Sequence, residues 1–115
     1  MQTYQIIVGL ESDRHQAPIP AAPTVLADWC HRIAAKYGGY SLVCGKGGWI
    51  DGHGNLIEER NAIVTIFSED AYAPQTITDD ALGLGRDLNQ SAVVVVTDAR
   101  PRFLPIAYAV ITPVA

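Results

Sequence analysis

Residues 38–67, GGYSLVCGKGGWIDGHGNLIEERNAIVTIF, read as two long strands folded back on each other at Asp51-Gly52-His53-Gly54. Asp and Gly between two runs of β-formers make a hairpin signal, because they accept the backbone angles that a tight reversal demands. The same stretch gathers most of the side chains able to do chemistry: Lys46, Trp49, Asp51, His53, Glu58, Glu59 and Arg60. In the simplest register Asp51 lies opposite Gly54, which sets Lys46 across from Glu59 and Trp49 across from Leu56.

Upstream of the hairpin, Val25, Trp29, Ile33 and Tyr37 recur every fourth residue with Leu26 and Cys30 alongside, the stripe of a helix with one buried face. Thr24 is the expected N-cap, and Gly38-Gly39 the stop. Residues 3–9, TYQIIVG, form a first strand, and residues 11–23, with Pro18, Pro20 and Pro23, an ordered loop or a flap. Downstream, Pro74 suits the first turn of a second helix whose core face is Ile77, Ala81, Leu84 and Leu88, with Asn89-Gln90 as its stop. Gly83 and Gly85 inside it each cost about 1 kcal/mol relative to alanine, so something packs close to that backbone or the helix frays. Residues 92–97, AVVVVT, are a fourth strand. The order β-α-β-β-α-β is the split-βαβ, ferredoxin-like sandwich of the α+β class. It forms a single domain here, with a long central hairpin, a core over residues 1–102 and an apolar C-terminal tail or extra strand over 103–115.

Size and composition exclude several classes. A chain of 115 residues builds one core, and 49% apolar with 17% charged residues is not a disordered composition. A net charge of −4 with scattered Lys and Arg argues against nucleic acid, and no apolar run approaches the roughly 20 residues of a spanning helix. The start, MQTYQIIVGL, has no basic region ahead of its apolar run and reads as a strand, so the expected location is cytoplasmic. Cys30 and Cys44 read as two small buried thiols and not as a disulfide framework.

Both helices of this topology cover one face of the sheet. The other face should alternate polar and apolar residues if water met it, yet the fourth strand is valine on both sides and the third offers Ile63, Thr65 and Phe67. An apolar face of that extent calls for a cover, so the expectation is a homo-oligomer, dimer or trimer, with the tail adding a strand within or between subunits.

Lys46, Trp49 and Arg60 form a candidate clamp for an anionic or planar ligand, combining a cation, a ring and a fork of donors. The alternative is an ordinary cross-strand ion pair and an apolar contact. Gly45, Gly47 and Gly48 interrupt a strand, which marks a bulge or a close approach, and the segment is a candidate to present N–H groups to an anion. The candidate ligand-binding residues are Lys46, Gly47, Gly48, Trp49, Asp51, His53, Glu59, Arg60, Arg100 and Arg102, the last two in a turn after the fourth strand. No catalytic residue, metal ligand or cofactor is assigned. His15, His31 and His53 lack metal-ligand spacing, and the adjacent Glu58 and Glu59 point to opposite faces of a strand.

On the hairpin GGWIDGHGNLIEERNAIVTIF, the chain resembles the PII and CutA group, trimeric ferredoxin-like proteins with a Trp-bearing hairpin and an acidic turn. The resemblance extends in plan over most of residues 3–98, without the glycine-rich nucleotide loops of true PII proteins. Gly9-Leu10 followed by Gly48, Trp49, Asp51 and Gly54 is also similar to a family of small uncharacterised bacterial proteins. The PII-like resemblance implies binding of a nucleotide or another small anion between subunits. The first expectation is therefore a non-enzymatic oligomeric ligand binder, regulatory or sequestering. The alternatives are a small ferredoxin-like enzyme of the monooxygenase or isomerase type, with Tyr40, His53 or Asn61 facing an apolar pocket, and a phage or mobile-element interaction module.

Overall fold

The computed structural model describes residues 2–11, 19–70 and 73–97, and the backbone of 100–105. The elements are β1 (Gln2–Gly9), α1 (Ala22–Tyr37), β2 (Ser41–Ile50), β3 (Leu56–Ser68), α2 (Ala73–Asp87), β4 (Ala92–Thr97) and β5 (Arg100–Pro105). They build one antiparallel sheet in the order β2-β3-β1-β4-β5. This is the expected βαββαβ arrangement with a fifth strand added at the β4 edge. That strand runs across the boundary expected between core and tail and starts at Arg100, where a turn was expected. Residues 12–18 of the expected flap and 106–115 of the tail lie outside the described residues.

Period-two alternation decides which side chains meet the helices. Tyr4, Ile6 and Val8 of β1, Ala62, Val64 and Ile66 of β3, and Val93 and Val95 of β4 are all buried. They pack under Leu26, Trp29 and Ile33 of α1, Ile77 and Leu84 of α2, and Leu88 just beyond its end. Each fully buried aliphatic side chain stabilises the fold by about 1.5–3 kcal/mol. The helices are also tied to each other: the Trp29 indole N–H donates to the Asp80 carbonyl (3.0 Å), and Tyr37 Oη lies 2.8 Å from Thr76 Oγ1 and 2.7 Å from Asp80 Oδ2. Burial, with lesser contributions from that carboxylate, pushes the Tyr37 phenol well above its ordinary pKa.

Helix ends depart from expectation in one case. α1 begins at Ala22 with Ala21 as an uncapped N-cap and proline in its first turn, so Thr24 is inside the helix and does not cap it. Proline there needs no partner for the N–H it lacks. Gly38, at φ 98°, ends α1 by donating its N–H to the Ala34 carbonyl. α2 ends with Asn89 at φ 52°, Asn89 N–H on Arg86 O (3.0 Å) and Gln90 N–H on Gly85 O (2.9 Å), the two reverse bonds of a left-handed helix stop. Gly85 is buried in this arrangement, whereas a side chain at Gly83 would meet open space, so no close neighbour explains that glycine.

The hairpin register differs from the simplest one by a single residue. Ile50 pairs with Leu56, leaving five residues, 51–55, in the connection, and Lys46 lies opposite Arg60 and Trp49 opposite Ile57. A one-residue slip exchanges the faces of all partners. Trp49 consequently shares a face with Glu59 and Asn61, and Lys46 shares the opposite, helix-side face with Glu58 and Arg60.

Candidate functional site

The chemistry concentrates on the face of the sheet away from the helices, where β1 ends. Gly9 lies there between two polar side chains. A Cβ on Gly9 would stand 2.4 Å from Gln90 Oε1 and 3.0 Å from Glu59 Oε1. Gln90 is buried, 3% exposed, and its Nε2 donates to Glu11 O (2.8 Å) and Leu88 O (3.1 Å). Those two carbonyl partners identify the nitrogen and therefore turn the amide oxygen toward Gly9. Beside this pair, the Asn61 side chain reaches across to β2. A Cβ would lie 3.3 Å from its Oδ1 at Gly45 and 3.0 Å from its Nδ2 at Gly47. Asn61 Oδ1 is buried without a hydrogen-bond partner among the described residues. An orphaned acceptor of this kind costs about 1–3 kcal/mol unless something donates to it.

These groups line a cavity of about 360 Å³ whose walls include Trp49, Ile7, Ala92 and Val94, with Ser91 at its edge. The oxygens of Glu59, Gln90 and Asn61 are all acceptors. A carboxylate and two amide oxygens beside an indole suit a ligand that is cationic and rich in N–H donors, with a flat apolar part. Sequence alone suggested an anion.

The expected anion site is distributed differently. Lys46 pairs with Glu58 at 2.9 Å on the helix-side face, and that hydrogen bond holds its ammonium above the ordinary pKa. Arg60 is on the same face, its Nε 3.9 Å from Glu11 Oε1. Gly45–Gly48 lie in a regular strand fully paired with β3, and two of those glycines make room for Asn61. Asp51 serves the turn: its Oδ1 accepts from the backbone N–H of His53 (2.8 Å) and Asn55 (2.9 Å), and the bond from Asn55 leads in holding its carboxyl below the usual range. His53 is exposed at the hairpin tip. Arg100 and Arg102 fall in β5, opposite Thr97 and Val95 of β4. Of the ten residues singled out, Trp49 and Glu59 line the open-face cavity. Gln90 and Gly9 were missed, the first read only as a helix stop, the second only as a strand end. Among the described residues no three His, Cys, Asp or Glu side chains come together as metal ligands.

A second cavity, about 740 Å³, lies on the helix side between α1 and the hairpin, with Leu26, Tyr40, Leu42 and Arg60 on its walls. Cys30 and Cys44 both border it, and burial, with a smaller contribution from Cys44, pushes the Cys30 thiol up. Cys44 itself is exposed, contrary to expectation.

No family model and no curated protein matches the chain. Solved structures that share its fold include two of a phage enzyme. One is a phage SAM lyase in complex with S-methyl-5'-thioadenosine, with a TM-score of 0.66 and 17% identity over 90% of this chain and 88% of that chain. The other is a phage SAM lyase in the apo state, with a TM-score of 0.66 and 18% identity over the same shares. The expectation of a non-enzymatic binding protein is corrected by this finding: the ferredoxin-like structures that match the chain almost end to end are those of an enzyme. Of the readings the sequence left open, the enzyme alternative is the better supported one.

Proposed function

We propose that the protein is a lyase acting on S-adenosylmethionine or a close sulfonium analogue, with the open-face cavity as its active site. The observation that carries this reading is the convergence of Glu59 and Gln90 oxygens above Gly9 beside the unpartnered Asn61 oxygen. Likeness of fold to a SAM lyase supports the choice of substrate, and the cavity chemistry agrees with it independently.

The substrate carries an α-ammonium with three N–H donors, a carboxylate, a sulfonium and an adenosyl group. Glu59, Gln90 and Asn61 offer the ammonium three acceptors. Trp49 offers the purine or the sulfonium a ring face. With the amino acid arm held by its ammonium, its own carboxylate is free to close on Cγ. The new C–O bond forms as the Cγ–S bond breaks, the bonding pair leaves on sulfur, and the products are a five-membered lactone and the neutral thioether S-methyl-5'-thioadenosine. No water enters, which separates a lyase from a hydrolase. The reaction brings opposite charges together and annihilates them, so apolar walls such as Ile7 and Val94 favour its transition state over the charged reactant. Holding two reacting groups of one molecule in line is the protein's main contribution.

The working form is proposed to be a homo-oligomer. Val43 and Phe67, on the open face, are 60% and 53% exposed in the single chain, and a second copy would cover them and close the cavity to water.

The test is incubation of the purified protein with S-adenosylmethionine and detection of S-methyl-5'-thioadenosine by liquid chromatography and mass spectrometry. Product is expected, with Glu59→Gln slowed about a hundredfold, the scale of losing a positioning contact. Glu58→Gln, on the opposite face, should leave the rate unchanged. Folded protein that forms no thioether, or Glu59→Gln at the wild-type rate, would refute the reading.

A further inference from the structure

From the helix-side cavity we infer a second ligand site, for a small alkyl monocarboxylate, independent of the proposed reaction. Its walls are aliphatic or aromatic at Leu10, Ile19, Leu26, Tyr40 and Leu42, and Arg60 is the one charged residue bordering it among the described residues. A volume of about 740 Å³ is in the range of pockets that enclose small molecules, and apolar walls with one placed polar group are their usual make-up.

Arg60 selects the head group. Among the described residues its guanidinium has one ion pair, to Glu11 at 3.9 Å, beyond hydrogen-bond reach, and the side chain is 63% exposed. The Glu11 carboxylate is instead engaged by the backbone N–H of Arg60 at 2.6 Å. That bond belongs to the main chain and survives any change in the direction of the Arg60 side chain. The guanidinium fork is thus available to a second carboxylate while Glu11 stays where it is, and a fork matched to two oxygens favours a carboxylate over a neutral head. Lys46, directly opposite Arg60 on β2, is already paired with Glu58 at 2.9 Å. An alkyl chain suits the rest, since no acid borders the cavity and its remaining polar groups are two thiols and one phenol.

The experiment is equilibrium dialysis of the full chain against decanoate and, in parallel, decanol. Wild type is expected to bind both saturably, decanoate more tightly. Arg60→Gln should bind decanoate roughly tenfold more weakly, the ratio of one charge-assisted contact, while its affinity for decanol is unchanged. Ala27→Phe, an exposed position on the cavity wall, should lose both ligands. Circular dichroism of each variant establishes that it is folded. Wild type that binds no decanoate, Arg60→Gln that binds it as tightly as wild type, or Ala27→Phe that retains both ligands would overturn the inference. Dialysis reads binding and not turnover, so this result is separate from whether the open face cleaves a sulfonium.

Discussion

At Gly9 the absence of a side chain is what allows the proposed site to exist. The space a Cβ would take is shared by the Gln90 amide oxygen and the Glu59 carboxylate, and Gln90 cannot swing aside cheaply because its Nε2 holds two carbonyls. Gly9→Ala is therefore expected to destabilise the fold by roughly 1–3 kcal/mol through overpacking, and to abolish thioether formation even where the protein stays folded. Urea unfolding and the product assay measure the two effects separately, and a variant of wild-type stability and rate would contradict the crowding described. Gly45 and Gly47 act in the same way for Asn61, whose amide lies where their side chains would be.

At the level of the element, the β2–β3 hairpin sorts its charges by register. The five-residue connection, with Gly54 at φ 81° and Asp51 bonding two backbone N–H groups, sets the strands one residue away from the simplest pairing. Asp51 does this as a carboxylate, and its pKa is depressed below the ordinary 3.8 because those N–H groups favour the charged form. A depressed folded-state pKa means that its contribution to stability is present above the ordinary value and is lost as pH falls through the folded one. Carbon-detected NMR titration should accordingly place the Asp51 midpoint below 3.8, with the His53 and Asn55 amide signals moving at the same midpoint. A midpoint at or above the ordinary value would show that the turn does not depend on the carboxylate.

At the level of the whole molecule, the sheet is covered by helices on one side and carries Val43, Ile63, Phe67 and Val94 on the other. β2, an edge strand exposed along nearly all its length, adds Ile50 to the uncovered apolar surface. Light scattering after size exclusion should give a mass that is a multiple of the 12.4 kDa chain, and Val43→Glu should shift it toward one chain. A wild-type protein that runs as a single chain would remove the proposed cover for the open face. Among the described residues no helix is long and apolar enough to cross a membrane.

Local periodicity and turn chemistry were enough to read the element order, the helix stripe from Leu26 to Ile33 and the helix stop after Leu88, because those features depend on neighbours within four residues. The special character of the hairpin was legible too, through its glycines, its tryptophan and its acid. What sequence could not decide was which side of the sheet each charge occupies. For β2 that depends on one residue of turn length: a slip of one exchanges Glu58 with Glu59, and Arg60 with Asn61, as the face-sharing neighbours of Lys46 and Trp49. Nor could it bring Gln90, at the far end of α2, over Gly9 at the end of β1. Those residues are 81 positions apart, and only the pairing of β4 with β1, together with the anchor that Glu11 provides for the Gln90 amide, places them in contact. The chain determined its strands and helices from local preferences. Tertiary pairing decided that the acceptor oxygens of Glu59, Gln90 and Asn61 gather on one face and the Arg60 guanidinium lies on the other.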